Sequence, residues 1–220
     1  MTLRVRDYFF GAVALAFAAT CVRLGFWQLE RLAQRRARNA EVRAARERPV
    51  LELTGRATPV DSVRHRRLRA RGVYDYDHER LWRARSYEGV PGVSVITPLR
   101  LADGSAVLVD RGWVPSPDAS HVDQGAYREG DSAVVEGLGM IAPRGRGDVD
   151  PRTLADSLPY PLLPFVLQQL PGDRPTGRSP VRLPPPALDD GPHLAYAIQW
   201  FSFAAIVAVG TIALYRRRGP

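Results

Sequence analysis

The side chains able to do chemistry in this sequence are few: four histidines, one cysteine and a scatter of carboxylates. His193 stands apart, because it directly precedes a long apolar run. On a helix, Tyr196, Ala197 and Trp200 fall on its side, since seven residues make nearly two turns. An imidazole in such an apolar, aromatic setting can act as an interfacial anchor or as an axial ligand to haem iron. His193 is therefore the candidate metal ligand, with Tyr196 and Trp200 as candidate cofactor contacts. His65 sits in an arginine cluster, and His78 and His121 lie in polar, turn-like stretches where surface roles are expected.

Other reactive patterns are missing. The chain has no HExxH, P-loop, GxSxG elbow or Rossmann glycine pattern, so no catalytic residues are assigned and no enzymatic turnover is expected. Carboxylate pairs such as Asp75 with Asp77 read as the outward face of a strand or turn. Cys21 is the single cysteine and lies within an apolar run, which excludes a disulfide framework and a CxxC metal site. The net charge of +8 comes from 31 basic residues, every one of them arginine. The arginine clusters flank apolar runs, so they fit anionic lipid better than nucleic acid.

Two such runs must position His193. Residues 8–29 would span about 33 Å as a helix, enough for a hydrocarbon core of about 30 Å. A cleaved leader is the rival reading, with small residues at Ala16 and Ala18, but apolar residues resume at Leu24 and Trp27 suits an interface. A basic helical lead-in follows, with Arg31, Arg35, Arg36 and Arg38 read as a solvated or headgroup-facing surface, ending against Pro49. Residues 194–215 carry no charge and run into Arg216, Arg217 and Arg218. Those arginines predict a cytoplasmic C-terminus, hence a cytoplasmic N-terminus and an external domain over residues 30–192.

The middle of the chain reads as β structure. Strands are expected at 50–55, 69–74, 93–101, 105–109, 133–141, 165–169 and 181–183, with Ala102, Asp103 and Gly104 as a hairpin turn. A short helix is expected at 153–158 within an otherwise irregular stretch over 142–186. The fold class is thus a membrane protein, with two transmembrane α-helices flanking a mostly antiparallel β domain, a small barrel or a sandwich.

Four blocks carry a family resemblance: LGFWQLERL at 24–32, GVPGV at 89–93 through TPL at 97–99, VDRGWVP at 109–115, and HLAYAIQWF at 193–201. In order and spacing they resemble the Surfeit locus protein 1 family of cytochrome c oxidase assembly factors. Asp110 departs from the pattern, because the family often has asparagine there. The resemblance implies a multi-pass protein of a bacterial-type plasma membrane that partners the oxidase catalytic subunit and other assembly factors, with transient handling of haem a. A membrane-anchored scaffold without a haem role is the alternative, and an external enzyme with an unrecognised site is a third. The Arg111-Gly112-Trp113 block reads as a structural support, with Trp113 capping the domain core.

Overall fold

The computed structural model describes residues 5–55, 58–141, 149–172 and 178–218. The chain divides into two compact units, residues 1–41 with 188–220, and residues 42–187. The Arg146-Gly147-Asp148 tripeptide lies outside the described residues.

The first unit is helical. Helix α1, Val5–Glu47, is uninterrupted, and it ends two residues before Pro49, whose ring disfavours the α conformation in the residue ahead of it. The second helix of this unit, His193–Arg218, begins directly after Pro192, whose carbonyl accepts from Tyr196 N at 3.1 Å. Both helices are long and apolar enough to cross a membrane. Their outer surfaces are bare hydrocarbon, with Leu15 73% and Ile206 66% exposed. A soluble protein rarely leaves a continuous apolar face of this kind open to water, and a bilayer removes that cost. Between the helices, Gly25 abuts the ring of Phe201, Phe26 meets Phe201 edge-on at 5.3 Å, and Cys21 and Ala197 are buried.

The second unit is a closed β barrel. Its strands are β1 (Leu51–Leu53), β2 (Arg67–Tyr74), β3 (Arg80–Tyr87), β4 (Val90–Leu101), β5 (Ala106–Pro115), β6 (Ser132–Met140) and β7 (Leu162–Gln169). They form one sheet in the order β1-β2-β6-β7-β5-β4-β3, and a further β2–β4 pairing closes the ring β2-β6-β7-β5-β4. Closure depends on β2 changing partner along one edge. Its first half pairs with β1 in parallel, and Gly72, Val73 and Tyr74 then pair with Leu101, Arg100 and Leu99 of β4. A side chain at Gly72 would collide with Arg100 O at 2.2 Å, so glycine permits the close approach. The β5–β7 pairing is parallel, and the remaining barrel pairings are antiparallel.

Alternation along the strands fills the barrel with Leu68, Ala70, Leu99, Val107, Val109, Val135, Phe165 and Leu167. Opposite-facing residues such as Ile96, Leu108 and Val166 pack with Val149 and Leu154. Leu154 belongs to helix α3, Pro151–Leu154, which Asp150 caps by accepting from Arg152 N at 3.1 Å. A short helix, α2 (Val60–Val63), precedes β2, and the His193 helix is α4.

Several local expectations are refined. The hairpin at 102–104 forms, with Asp103 Oδ1 accepting from Ser105 N at 3.0 Å and Gly104 at φ 81°. The helix expected at 153–158 is instead α3 followed by a 3-10 turn, Ala155–Ser157. Of the strand expected at 181–183, only a bridge between Val181 and Trp113 forms. Strand β3 was not anticipated: its RLWRARSY sequence is arginine-rich, and it lies at the sheet edge with little fully buried surface.

Candidate functional site

Two of the blocks singled out by the sequence meet in the helical unit. His193 Nδ1 lies 2.9 Å from Gln28 Oε1, joining the first residue of α4 to the FWQLE segment of α1. The approach to His193 is fixed by Gly191, which adopts φ 68° and donates its N–H to Asp189 Oδ1 at 3.0 Å. Asp189 and Asp190 are in turn paired with Arg35 and Arg36 at 2.9 and 2.8 Å, and Asn39 donates to Asp189 O. Those two arginines, expected to face solvent or headgroups, therefore also clamp the segment leading into α4. As exposed pairs they set geometry more than stability.

An imidazole whose Nδ1–H donates to the Gln28 amide oxygen keeps its lone pair on Nε2, the arrangement a metal-ligating histidine uses. Tyr196 and Trp200 occupy the next turns of α4. Tyr196 is 48% exposed, while Trp200 is partly buried and packs edge-on to Phe203 at 5.9 Å. The donor set and the aromatic surface are thus compatible with a flat, iron-bearing macrocycle. The other histidines have local partners or surroundings: His78 Nδ1 meets Asp75 Oδ2 at 2.9 Å, and exposed His121 meets Asp118 at 2.6 Å. Burial and the neighbouring Arg64 and Arg46 lower the pKa of His65.

The barrel unit contains a buried charge network around Arg111. The β4–β5 register pairs Val95 with Gly112 and Ile96 with Asp110, so Arg111 is the extra residue of a β-bulge. Its guanidinium is fully buried and donates to Glu79 Oε2 at 2.9 Å, to Glu129 Oε2 at 2.8 Å and to Tyr127 O. It also lies over the rings of Tyr74 and Tyr76 at 5.3 and 5.2 Å. Thr97 donates its hydroxyl to Glu79, and Arg182 donates to the other oxygen of Glu129 at 2.5 Å. Burial opposes ionisation of Glu129, but hydrogen bonding and charge from Arg111 and Arg182 hold its carboxyl below the usual range. Two cations and two carboxylates thereby satisfy one another within the protein.

The neighbours of Arg111 are shaped by close backbone approach. Gly112 has φ 126°, and a β-carbon there would lie 2.5 Å from Val181 O, which accepts from Trp113 N at 2.8 Å. The Trp113 indole is buried and packs 5.6 Å from the Tyr87 ring. Asp110 points the other way, with Oδ1 accepting from Gly112 N at 3.1 Å. Burial pushes its carboxyl up to about 6, against the Gly112 hydrogen bond and the charge of Arg85.

The sequence profile of the SURF1 family matches residues 15–205, a span that contains all four blocks. The chain belongs to the SURF1 family. Uncharacterised SURF1-like proteins of Mycobacterium bovis and Mycobacterium tuberculosis are each 29% identical to it, over 90% of this chain and 79% of their own length. A SURF1-like protein of Monosiga brevicollis is 26% identical, over 89% of this chain and 84% of its own.

The SURF1 blocks therefore fall at two distinct places. LGFWQLERL and HLAYAIQWF supply the Gln28–His193 hydrogen bond, while GVPGV pairs with the end of VDRGWVP, Gly92 with Pro115 and Val93 with Val114, and VDRGWVP carries the β-bulge. Residues 88 and 89 form the two-residue β3–β4 turn with φ 49° and 79°, the left-handed conformation that makes Gly89 favourable there. Sequence reasoning missed Glu79 and Glu129 as partners of Arg111, and Arg182 as the second cation on Glu129. An arginine inside the largely apolar VLVDRGWV stretch signals a buried ion pair, yet its two carboxylates lie 32 and 18 positions away and carry no local mark. Asp75 was read as outward-facing, but it is only 14% exposed at its side chain and accepts from Tyr160 Oη at 2.9 Å.

Proposed function

We propose that this protein assists assembly of a haem-copper cytochrome c oxidase from within the membrane, and that its His193 end receives or stabilises haem a on the way to the catalytic subunit. Membership of the SURF1 family, generally cytochrome oxidase assembly factors, supports the first part. The observation that carries the second is the Gln28–His193 hydrogen bond, which holds Nδ1 and leaves Nε2 for iron. Haem supplies a flat apolar ring with two propionates and a metal centre. His193 would hold the iron, and Tyr196 and Trp200 would lie against the ring.

In this reading both termini are cytoplasmic and the barrel stands outside, where the trailing arginines 216–218 favour the cytoplasmic leaflet. The haem would rest at the outer headgroup level, its propionates toward water and its ring among apolar side chains. Catalytic subunit and further assembly factors would be the partners. The function would be exercised by binding and transfer, without turnover of a substrate.

A scaffold without a haem role is favoured by the same hydrogen bond, since Gln28 also satisfies His193 as an interfacial anchor. One experiment separates the two readings. The full chain is purified in detergent after coexpression with haem a synthesis, alongside His193→Ala and His121→Ala. The haem reading expects a bound-haem absorption band in the parent and in His121→Ala, lost in His193→Ala, with reduced oxidase haem content in membranes of the His193 variant. Normal haem retention and oxidase activity in His193→Ala would leave the anchor reading in its place.

A further inference from the structure

The barrel unit contains a second, unrelated feature: a cavity of about 350 Å3 whose walls include Trp82, Arg85, Asp110, Met140, Gln168 and Pro184. Its volume lies at the small end of ligand pockets, roughly 300–1,000 Å3, and so suits a molecule built on a single ring. The walls are mostly apolar, and two charged groups break that surface.

Asp110 is only 7% exposed, and its Oδ1 is used by Gly112 N. Among the described residues no hydrogen bond reaches Oδ2. A buried carboxylate with one donor is under-satisfied, because an ionised carboxylate accommodates several. Arg85 faces the same space, with its guanidinium held 4.4 Å over the Trp82 ring and no hydrogen bond to another described residue. The cavity thus offers one open acceptor and a fork of open donors, on walls that are mostly apolar apart from Ser94, Gln168 and Gln169.

Charge decides which ligand class fits. A cation drawn to Asp110 would meet the Arg85 guanidinium in the same cavity, and an anion drawn to Arg85 would meet the Asp110 carboxylate. A neutral molecule with a donor at one end and an acceptor at the other satisfies both. Trp82, Met140 and Pro184 line the cavity with apolar surface suited to a ring. We propose that this cavity binds a neutral hydroxylated aromatic compound, whose O–H donates to Asp110 and whose second oxygen accepts from Arg85.

The test uses the full chain in lipid nanodiscs, with empty discs subtracted to remove partition into lipid. Equilibrium dialysis is run with methyl 4-hydroxybenzoate, with its methoxy analogue lacking the donor, and with the cation benzamidine. The proposal expects saturable binding of the phenol at one site per chain, and at least about tenfold weaker binding of the methoxy compound, the loss usual for a hydrogen bond to a charged group. Arg85→Gln and Asp110→Asn should each weaken the phenol to a similar degree while the melting temperature shows a folded barrel. Arg85 is only partly buried, so its variant keeps the test valid if Asp110→Asn proves unfolded. No saturable phenol binding up to its solubility, equal binding of the methoxy compound, unchanged binding in the folded variants, or preference for benzamidine would each overturn the proposal.

Discussion

Gly92 leaves the space that the Trp113 indole fills: a β-carbon at residue 92 would lie 2.4 Å from Trp113 Nε1 and 2.3 Å from Val114 O. The pair ties two SURF1 blocks together, since GVPGV supplies the vacancy and VDRGWVP the ring. Because the second collision is with backbone, the clash has no cheap rotameric escape. Gly92→Ala should therefore destabilise the barrel by about 1–3 kcal/mol, as overpacking does. Trp113→Ala should cost about 3–5 kcal/mol, as loss of a buried large aromatic does. Chemical denaturation followed by fluorescence measures both. Unchanged stability in Trp113→Ala, with lost oxidase assembly, would instead mark the tryptophan as a partner contact.

The Arg111 network predicts a different pattern. Arg111→Ala leaves Glu79 buried without its cation and Glu129 with Arg182 alone, which should cost about 3–5 kcal/mol. Adding Glu79→Gln to that variant should recover part of the loss, because one stranded charge is removed. Strict additivity in the double-mutant cycle would show that Arg111 and Glu79 do not share the energy their 2.9 Å contact suggests.

Asp110 makes stability depend on pH in an unusual direction. Its folded value of about 6 is above the ordinary 3.8, so between these limits the native state binds more protons than the unfolded chain. Stability from this group is fully present below the unfolded value and is lost as pH rises through about 6. Asparagine can still accept from Gly112 N and carries no charge to desolvate. Asp110→Asn should thus be more stable than the parent at pH 7, by up to about 3 kcal/mol, with the gain vanishing near pH 4. A pH series of denaturant melts reads this directly, and a gain that did not change with pH would assign the effect to packing.

Topology can be read with fusions. A reporter active only in the cytoplasm should work after Arg218 and fail when inserted at Gly130, which lies in an exposed loop before β6. Activity at Gly130 would invert the orientation. A mature N-terminus near Ala19 would show that the first apolar segment is cleaved.

The sequence by itself determined the elements whose signals are local. An uncharged run ending in three arginines, an Asp-Gly turn between alternating apolar residues, and four spaced blocks depend on neighbours within a few positions, and they specified the two apolar helices, the β-rich middle and the family. Only the tertiary structure decided how the sheet ends and what its charged residues face. Barrel closure turns on β2 exchanging β1 for β4 along one edge, an event that Gly72 permits but does not announce. Strand β3 was hidden because an edge strand can carry arginines, so its alternation never became apolar. Arg111 found its carboxylates, and His193 found Gln28, across separations of 18 to 165 residues, where a single sequence leaves no periodic mark and folding alone brings the groups within hydrogen-bonding reach.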